Sequence, residues 1–343
     1  MKFFKSLPAL VMGAALALSA TAHTAHAADY KSEYKVSTVL GKPFPWGEAA
    51  GKWAELVAER TDGRINLKVY PNAQLVAGDQ TKEFTAMRQG IIDMAVGSTI
   101  NWSPQVKELN LFSLPFLMPD FAAMDALTQG PVGEKIFEAI RKQGIEPIGW
   151  AENGFREVTN SKHPITSPAD LDGLKMRVVG SPLYNDIFTA LGANPTQMSW
   201  ADAKPALTTG AVDGQENPLT VYDVAQMETA GQTYITLWHY VADPLIFAVN
   251  KRVWNSFSDE DKAIVKQAAD DAGAYGIALA RKGMTDDDQS LIKALEARGA
   301  KITTLTPEQR QKFVDATRDV YNKWKERIGP DLVDMAEKSI ANR

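Results

Sequence analysis

The groups in this 343-residue chain best suited to handling a small molecule are an arginine and a set of amides placed just past short strands. Leu174-Lys175-Met176-Arg177-Val178-Val179, entered through Asp172-Gly173, reads as a strand. Gly180-Ser181-Pro182 then opens a helix, with Ser181 as its cap and Pro182 in its first turn, and Gly192 stops it after Leu191. Arg177 therefore sits near the carboxyl end of a strand, just ahead of a helix N-terminus. Ligands of open α/β sheets gather at such places, and a helix start adds donors for an anion. A guanidinium meets two carboxylate oxygens with two parallel hydrogen bonds, which lysine cannot copy. The same arginine could instead lie on a sheet edge or pair with Asp170 or Asp172, since charged groups avoid burial unless paired. A second polar run, Asp213-Gly214-Gln215-Glu216-Asn217-Pro218, also follows a strand, and its amides suit the orientation of a small polar ligand.

Other chemistries are poorly supplied. The chain has no cysteine, which excludes thiolate chemistry and Cys-ligated metals. Two of its four histidines, His23 and His26, fall in an amino-terminal leader; His163 and His239 alone do not make a catalytic or metal-binding cluster. There is no GxSxG elbow and no HExxH, so a hydrolase reading finds no activated nucleophile, and no metal or cofactor is expected. The formal net charge is −5, and loss of Lys2 and Lys5 with the leader takes it to −7. That acidity argues against nucleic acid, and it means that local groups must draw in an anionic ligand.

Lys2 and Lys5, the apolar run Leu7 to Ala20 and the small-x-small Ala25-His26-Ala27 read as a signal peptide over residues 1–27. The apolar run is short of the roughly 20 residues of a membrane span. The expected product is an exported, periplasmic protein that is not itself embedded in the membrane. At 45% hydrophobic and 23% charged residues, the rest has the composition of a globular protein, long enough for two lobes with separate cores.

The chain opens with a strand at Tyr34–Leu40, a loop at Gly41–Gly47, a helix from about Glu48 to Arg60 and a strand at Ile65–Tyr70, which implies parallel strands under a covering helix. Met87-x-x-Gly90-x-x-Asp93 is echoed by Leu207-x-x-Gly210-x-x-Asp213: a helix end, a glycine cap and a strand carrying Asp at one spacing. The segments that follow, Ser98–Ser103 and the one holding Asn217, leave their strands at the carboxyl ends, and two such ends facing each other would make a cleft. The chain is expected to cross between lobes near Glu152 to Gly154 and to return around Asp243-Pro244. Lobe I is then 28–152 with about 244–281, and lobe II is 153–243 with about 282–343. Ser258, with Asp261 three residues on, starts a helix that could run proline-free to Arg298, weakened by Gly273, Gly276 and Gly283. Pro205 would break a helical hydrogen bond inside Trp200–Thr209, so that helix is expected to begin later than a Ser199 cap suggests.

GFRE (Gly154 to Glu157), LKMRV (Leu174 to Val178), LGANPTQM (Leu191 to Met198) and GAVDGQENP (Gly210 to Pro218) together resemble the solute-binding proteins of tripartite ATP-independent periplasmic (TRAP) transporters, of the dicarboxylate-binding type. The likeness extends over the mature chain. It implies a two-lobed α/β clamshell with a long helix spanning both lobes, and capture of a small organic acid: a C4-dicarboxylate, hydroxy acid or sugar acid. Delivery to the membrane subunits of a TRAP permease follows, and presentation to a membrane receptor is the rival role. It also implies that Arg177 clamps the ligand carboxylate, that Arg156 and Asn217 lie beside it, and that Trp200 forms an aromatic wall. Trp46, Asn101, Trp102 and Gly180 lie on loops expected to face the cleft, and Tyr240 and Asp243 fall near the return crossover.

Overall fold

A computed structural model describes Met1 and residues 30–343; the proposed signal peptide, Met1 apart, lies outside the described residues. Two sheets organise the chain. The first has five strands in the order Leu67–Tyr70, Tyr34–Ser37, Met94–Ser98, Ala242–Asn250, Ile145–Phe155. The second has six: Lys301–Thr304, Tyr234–Leu237, Glu157–Asn160, Gly214–Asn217, Lys175–Val178, Asn194–Gln197. The opening strands are parallel, as a β-α-β start requires, while Ala242–Asn250 runs antiparallel to both its neighbours. The chain passes from one sheet to the other through Arg156, between Phe155 and Glu157, and returns through residues 238–241. These two crossings lie side by side, Arg156 N–H donating to Val241 C=O at 3.1 Å.

The repeated Gly-x-x-Asp spacing has a structural counterpart. Gly90 and Gly210 both end helices with positive φ, +83° and +72°, the left-handed geometry that glycine adopts without penalty. Three residues later Asp93 accepts from the Lys35 N–H and Asp213 from the Lys175 N–H, both at 2.9 Å. Each aspartate thus ties the start of its own strand to the parallel neighbour. The two strands then end at Ser98 and Asn217, which lie on opposite walls of one cavity.

The long helix is shorter than its proline-free stretch allows. It spans Asp259–Arg281, 23 residues, and a separate helix follows at Ser290–Ala297. Gly273 and Gly276 do not interrupt it. A Cβ on Gly273 would meet the Trp150 carbonyl at 2.1 Å, and one on Gly276 would meet Ala49 at 2.7 Å, so both let the helix lie close on the first sheet and on the Pro45–Arg60 helix. Gly283, at φ +78°, lies in the turn after it. Its end reaches the second half, where Leu279 shares a groove with Thr220 and Leu291. The closing helices join both halves: Trp324 Nε1 donates to Asp186 at 2.6 Å, and Arg343 donates to Asp120 at 2.6 Å. Between them runs one apolar core that takes in Phe112, Ile136, Phe188, Trp238 and Trp324. Among the described residues no helix is long and apolar enough to cross a membrane.

One buried acid sets a pH dependence. Glu83 is fully buried; its Oε1 accepts from Ser37 Oγ at 2.5 Å and its Oε2 has no partner among the described residues. Burial pushes its pKa from 4.5 up to about 7, opposed only by Ser37. A raised carboxyl stabilises the fold below its unfolded pKa and loses that contribution as pH climbs from about 4.5 through about 7. Glu83→Gln should therefore match wild type at pH 5 and be more stable at pH 8 by about 1–3 kcal/mol, measured by denaturant unfolding at both pH values. Equal stability at pH 8 would refute it.

Candidate functional site

A small cavity of about 20 Å³ lies where the ends of Met94–Ser98, Lys175–Val178 and Gly214–Asn217 meet the crossing strands. Arg177, Arg156, Asn217, Trp200, Asn101, Trp46 and Asp243 line it. So do Gln80, Ser98 and Asn153, together with the apolar Val39, Leu40, Val179 and Val221. A larger groove of about 580 Å³, bordered by Pro43, Tyr275 and Leu291, lies elsewhere; its charged groups are the acids Glu48 and Asp223 and the exposed Lys282, so it is poorly built to hold an anion.

The two arginines differ in what they touch. Arg177 is 1% exposed, yet pairs with no carboxylate among the described residues. Its Nε and Nη2 both donate to the Met198 carbonyl, at 3.1 and 2.8 Å, which leaves Nη1 and the second N–H of Nη2 without a partner among the described residues. Asp170, a candidate partner on sequence grounds, instead accepts from Thr166 and Ser167. Burial pulls the Arg177 pKa down to about 10; the negative charge of Glu216 opposes this and the positive charge of Arg156 adds to it. A buried cation without a counter-ion is costly, and an incoming carboxylate is the group that relieves it. The Trp200 ring completes the wall, its centroid 6.0 Å from the Arg177 guanidinium carbon.

Arg156 is already committed. Its Nε and Nη2 hold the Glu216 carboxylate from two sides, Nη2 also donates to the Glu216 carbonyl at 2.7 Å, and Nη1 reaches Asp243 Oδ2 at 3.2 Å. Asp243 in turn accepts from Ser98 Oγ at 2.5 Å and Asn153 Nδ2 at 2.8 Å. Arg156, Glu216 and Asp243 thus form a buried network, one cation held between two carboxyls, that fixes the crossing strands. Neither Glu152 nor Glu157 is its partner. Glu152 pairs with Arg281, and Glu157 accepts from the Trp238 N–H.

Three expected positions lie off the cavity. Trp102 is a core residue: it packs against Phe84 at 5.4 Å and fills the space that a Cβ on Gly97 would occupy. Tyr240 is buried behind the wall, its hydroxyl donating to Glu216 Oε2 at 2.7 Å. Gly180 faces the other half, where a Cβ would meet Thr81 Cγ2 at 2.5 Å. Trp46 does line the cavity, but from the first turn of the Pro45–Arg60 helix rather than a loop, its Nε1 donating to Val96 C=O at 2.7 Å. Trp200 begins its helix as a Ser199 cap suggests, and Pro205 lies inside the helix; the hydrogen bond it cannot make is to Ala201, at an exposed position. Sequence reasoning missed Gln80, which carries no motif. It also missed Ser98 and Asn153, although Ser98 opens a segment placed at a strand's carboxyl end and Asn153 directly precedes GFRE.

Two α/β halves flanking one cavity, with a guanidinium at its wall that pairs with no carboxylate among the described residues, are the architecture of a clamshell solute-binding protein. The chain belongs to the DctP family, bacterial extracellular solute-binding protein family 7, whose match covers residues 36–327. It is 63% identical to a TRAP periplasmic solute binding protein from Ralstonia eutropha H16 whose crystal structure holds (S)-2-acetolactate; the TM-score is 0.91, covering 92% of this chain and 100% of that one. The C4-dicarboxylate-binding periplasmic protein DctP of Shewanella loihica is 31% identical over 310 residues, 90% of each chain. The 2,3-diketo-L-gulonate-binding periplasmic protein YiaO of Escherichia coli is 33% identical over 279 residues, 80% of this chain and 82% of that one.

Proposed function

We propose that the protein is exported by its leader, captures a compact organic acid through a single carboxylate on Arg177, and delivers it to a TRAP permease without altering it. The observation that carries this reading is the buried Arg177 guanidinium, which has no acidic partner among the described residues. Arg156 is neutralised by Glu216 and Asp243, so one strong carboxylate clamp remains, and a monocarboxylate fits better than a dicarboxylate. The other walls mix amides and a hydroxyl with valine and leucine side chains, which suits a short acid carrying a hydroxyl or keto group on a branched carbon. The bound 2-acetolactate of the Ralstonia eutropha relative is an acid of that kind. The halves that close on it are 28–152 with about 244–281 and 153–243 with about 282–343, the last helices also bracing the first half.

A thermal-shift and calorimetry panel of 2-acetolactate, succinate, glucuronate and galactonate tests this. The hydroxy-keto monocarboxylate should bind most tightly; at about 1,000 times Kd it adds about 4 kcal/mol, a rise in Tm of roughly 6 °C for a chain of this length. A larger response to succinate would overturn the single-carboxylate reading, and turnover of the bound acid would overturn the carrier role.

A further inference from the structure

The helix Trp200–Thr208 begins without a cap of its own. Ser199 is the N-cap residue, but its hydroxyl donates to Asp202 Oδ2 at 2.6 Å and accepts from no backbone N–H of the helix. The backbone N–H of Trp200 donates instead to Gln80 Oε1, at 2.9 Å, 120 residues away in the other half. The Gln80 Nε2 donates back into its own half, to Asn101 Oδ1 at 2.8 Å. Gln80 is 5% exposed and lines the cavity. One carboxamide therefore closes a hydrogen-bonded bridge across the seam and fills an orphan position at a helix start.

This bridge is one step from the ligand clamp. Arg177 grips the Met198 carbonyl, and Met198 lies two residues before Trp200. Next to the bridge, Thr81 packs against Gly180, where a Cβ would approach Thr81 Cγ2 to 2.5 Å. Thr81 cannot easily turn away, because its hydroxyl donates to Asp79 at 2.7 Å.

We propose that Gln80 is the latch residue that couples filling of the cavity to closure of the two halves, acting by capping the Trp200–Thr208 helix from the opposite half. Carboxylate bound on Arg177 steadies the Met198–Trp200 segment, and that segment then presents its N–H to Gln80. Without ligand the helix start is left to water and the seam loosens. The proposal rests on the capture reading above for its ligand, but not on which acid is bound.

The chain has no cysteine, so spin labels can be placed singly on the exposed Glu59 and Thr189, one on each half, and their separation measured with and without saturating 2-acetolactate. Gln80→Leu should weaken binding roughly 10-fold. It should also leave a long-distance, open population at saturation, while the unliganded Tm stays at the wild-type value. Gly180→Ala, which places a methyl in the seam and touches no cavity wall, should reproduce the open population. Complete closure at saturation in both variants, whatever their affinity, would overturn the latch. If wild-type protein does not bind 2-acetolactate, it is the ligand assignment that falls. The latch is then read with the acid of the panel that raises the wild-type Tm most, and complete closure of Gln80→Leu at its saturation refutes it.

Discussion

Arg177→Ala should lose binding of the cognate acid by at least about 100-fold, while its unliganded thermal transition stays within a few degrees of wild type. Charge-assisted hydrogen bonds contribute about 1.5–3 kcal/mol each, and a clamp of two is enough for that loss. Stability is spared for a physical reason. Truncation leaves the Met198 carbonyl short of a donor, but it also removes a buried cation that has no counter-ion. Arg177→Lys should recover only part of the affinity, because an ammonium cannot supply two parallel donors. Calorimetric titration gives the affinities and differential scanning the transitions. Retained binding in Arg177→Ala, or a collapse of its transition, would make this side chain structural.

Arg156→Ala should do the opposite and damage the fold before it damages recognition. It strands Glu216 and Asp243, both nearly fully buried, as two uncompensated acids. Breaking a buried ion pair by removing one partner costs about 3–5 kcal/mol, so Tm should fall by roughly 5–8 °C. The deficit should shrink in acid. Burial raises the Asp243 pKa and Arg156 opposes that rise, so without Arg156 the carboxyl shifts further upward. A carboxyl raised in the folded state stabilises the fold at low pH and loses that contribution as pH rises through its folded pKa. Scanning calorimetry at pH 5 and pH 8 reads both effects. A variant with wild-type Tm at pH 8 would show that the network does not hold the crossing strands.

The contrast between these arginines shows where sequence reading stops. The strand that carries Arg177, the helix after it and the glycine stops were legible because period, caps and turn residues are local properties of the chain. So was the Gly-x-x-Asp echo, which places Ser98 and Asn217 at equivalent strand ends. Partners distant in sequence were not legible. Nothing near GFRE announces that Arg156 is matched by Glu216, 60 residues on, and Asp243, 87 residues on. Trp46 and Trp102 look alike on paper; packing puts one ring on the cavity and the other in the core behind Gly97. Gln80, with no motif around it, becomes a bridging residue only because the fold sets it opposite an uncapped helix. Sequence by itself determined the family, the elements and a guanidinium at a strand end. Tertiary structure alone decided which charges cancel and which one is left for a ligand, because desolvation and pairing depend on neighbours in space.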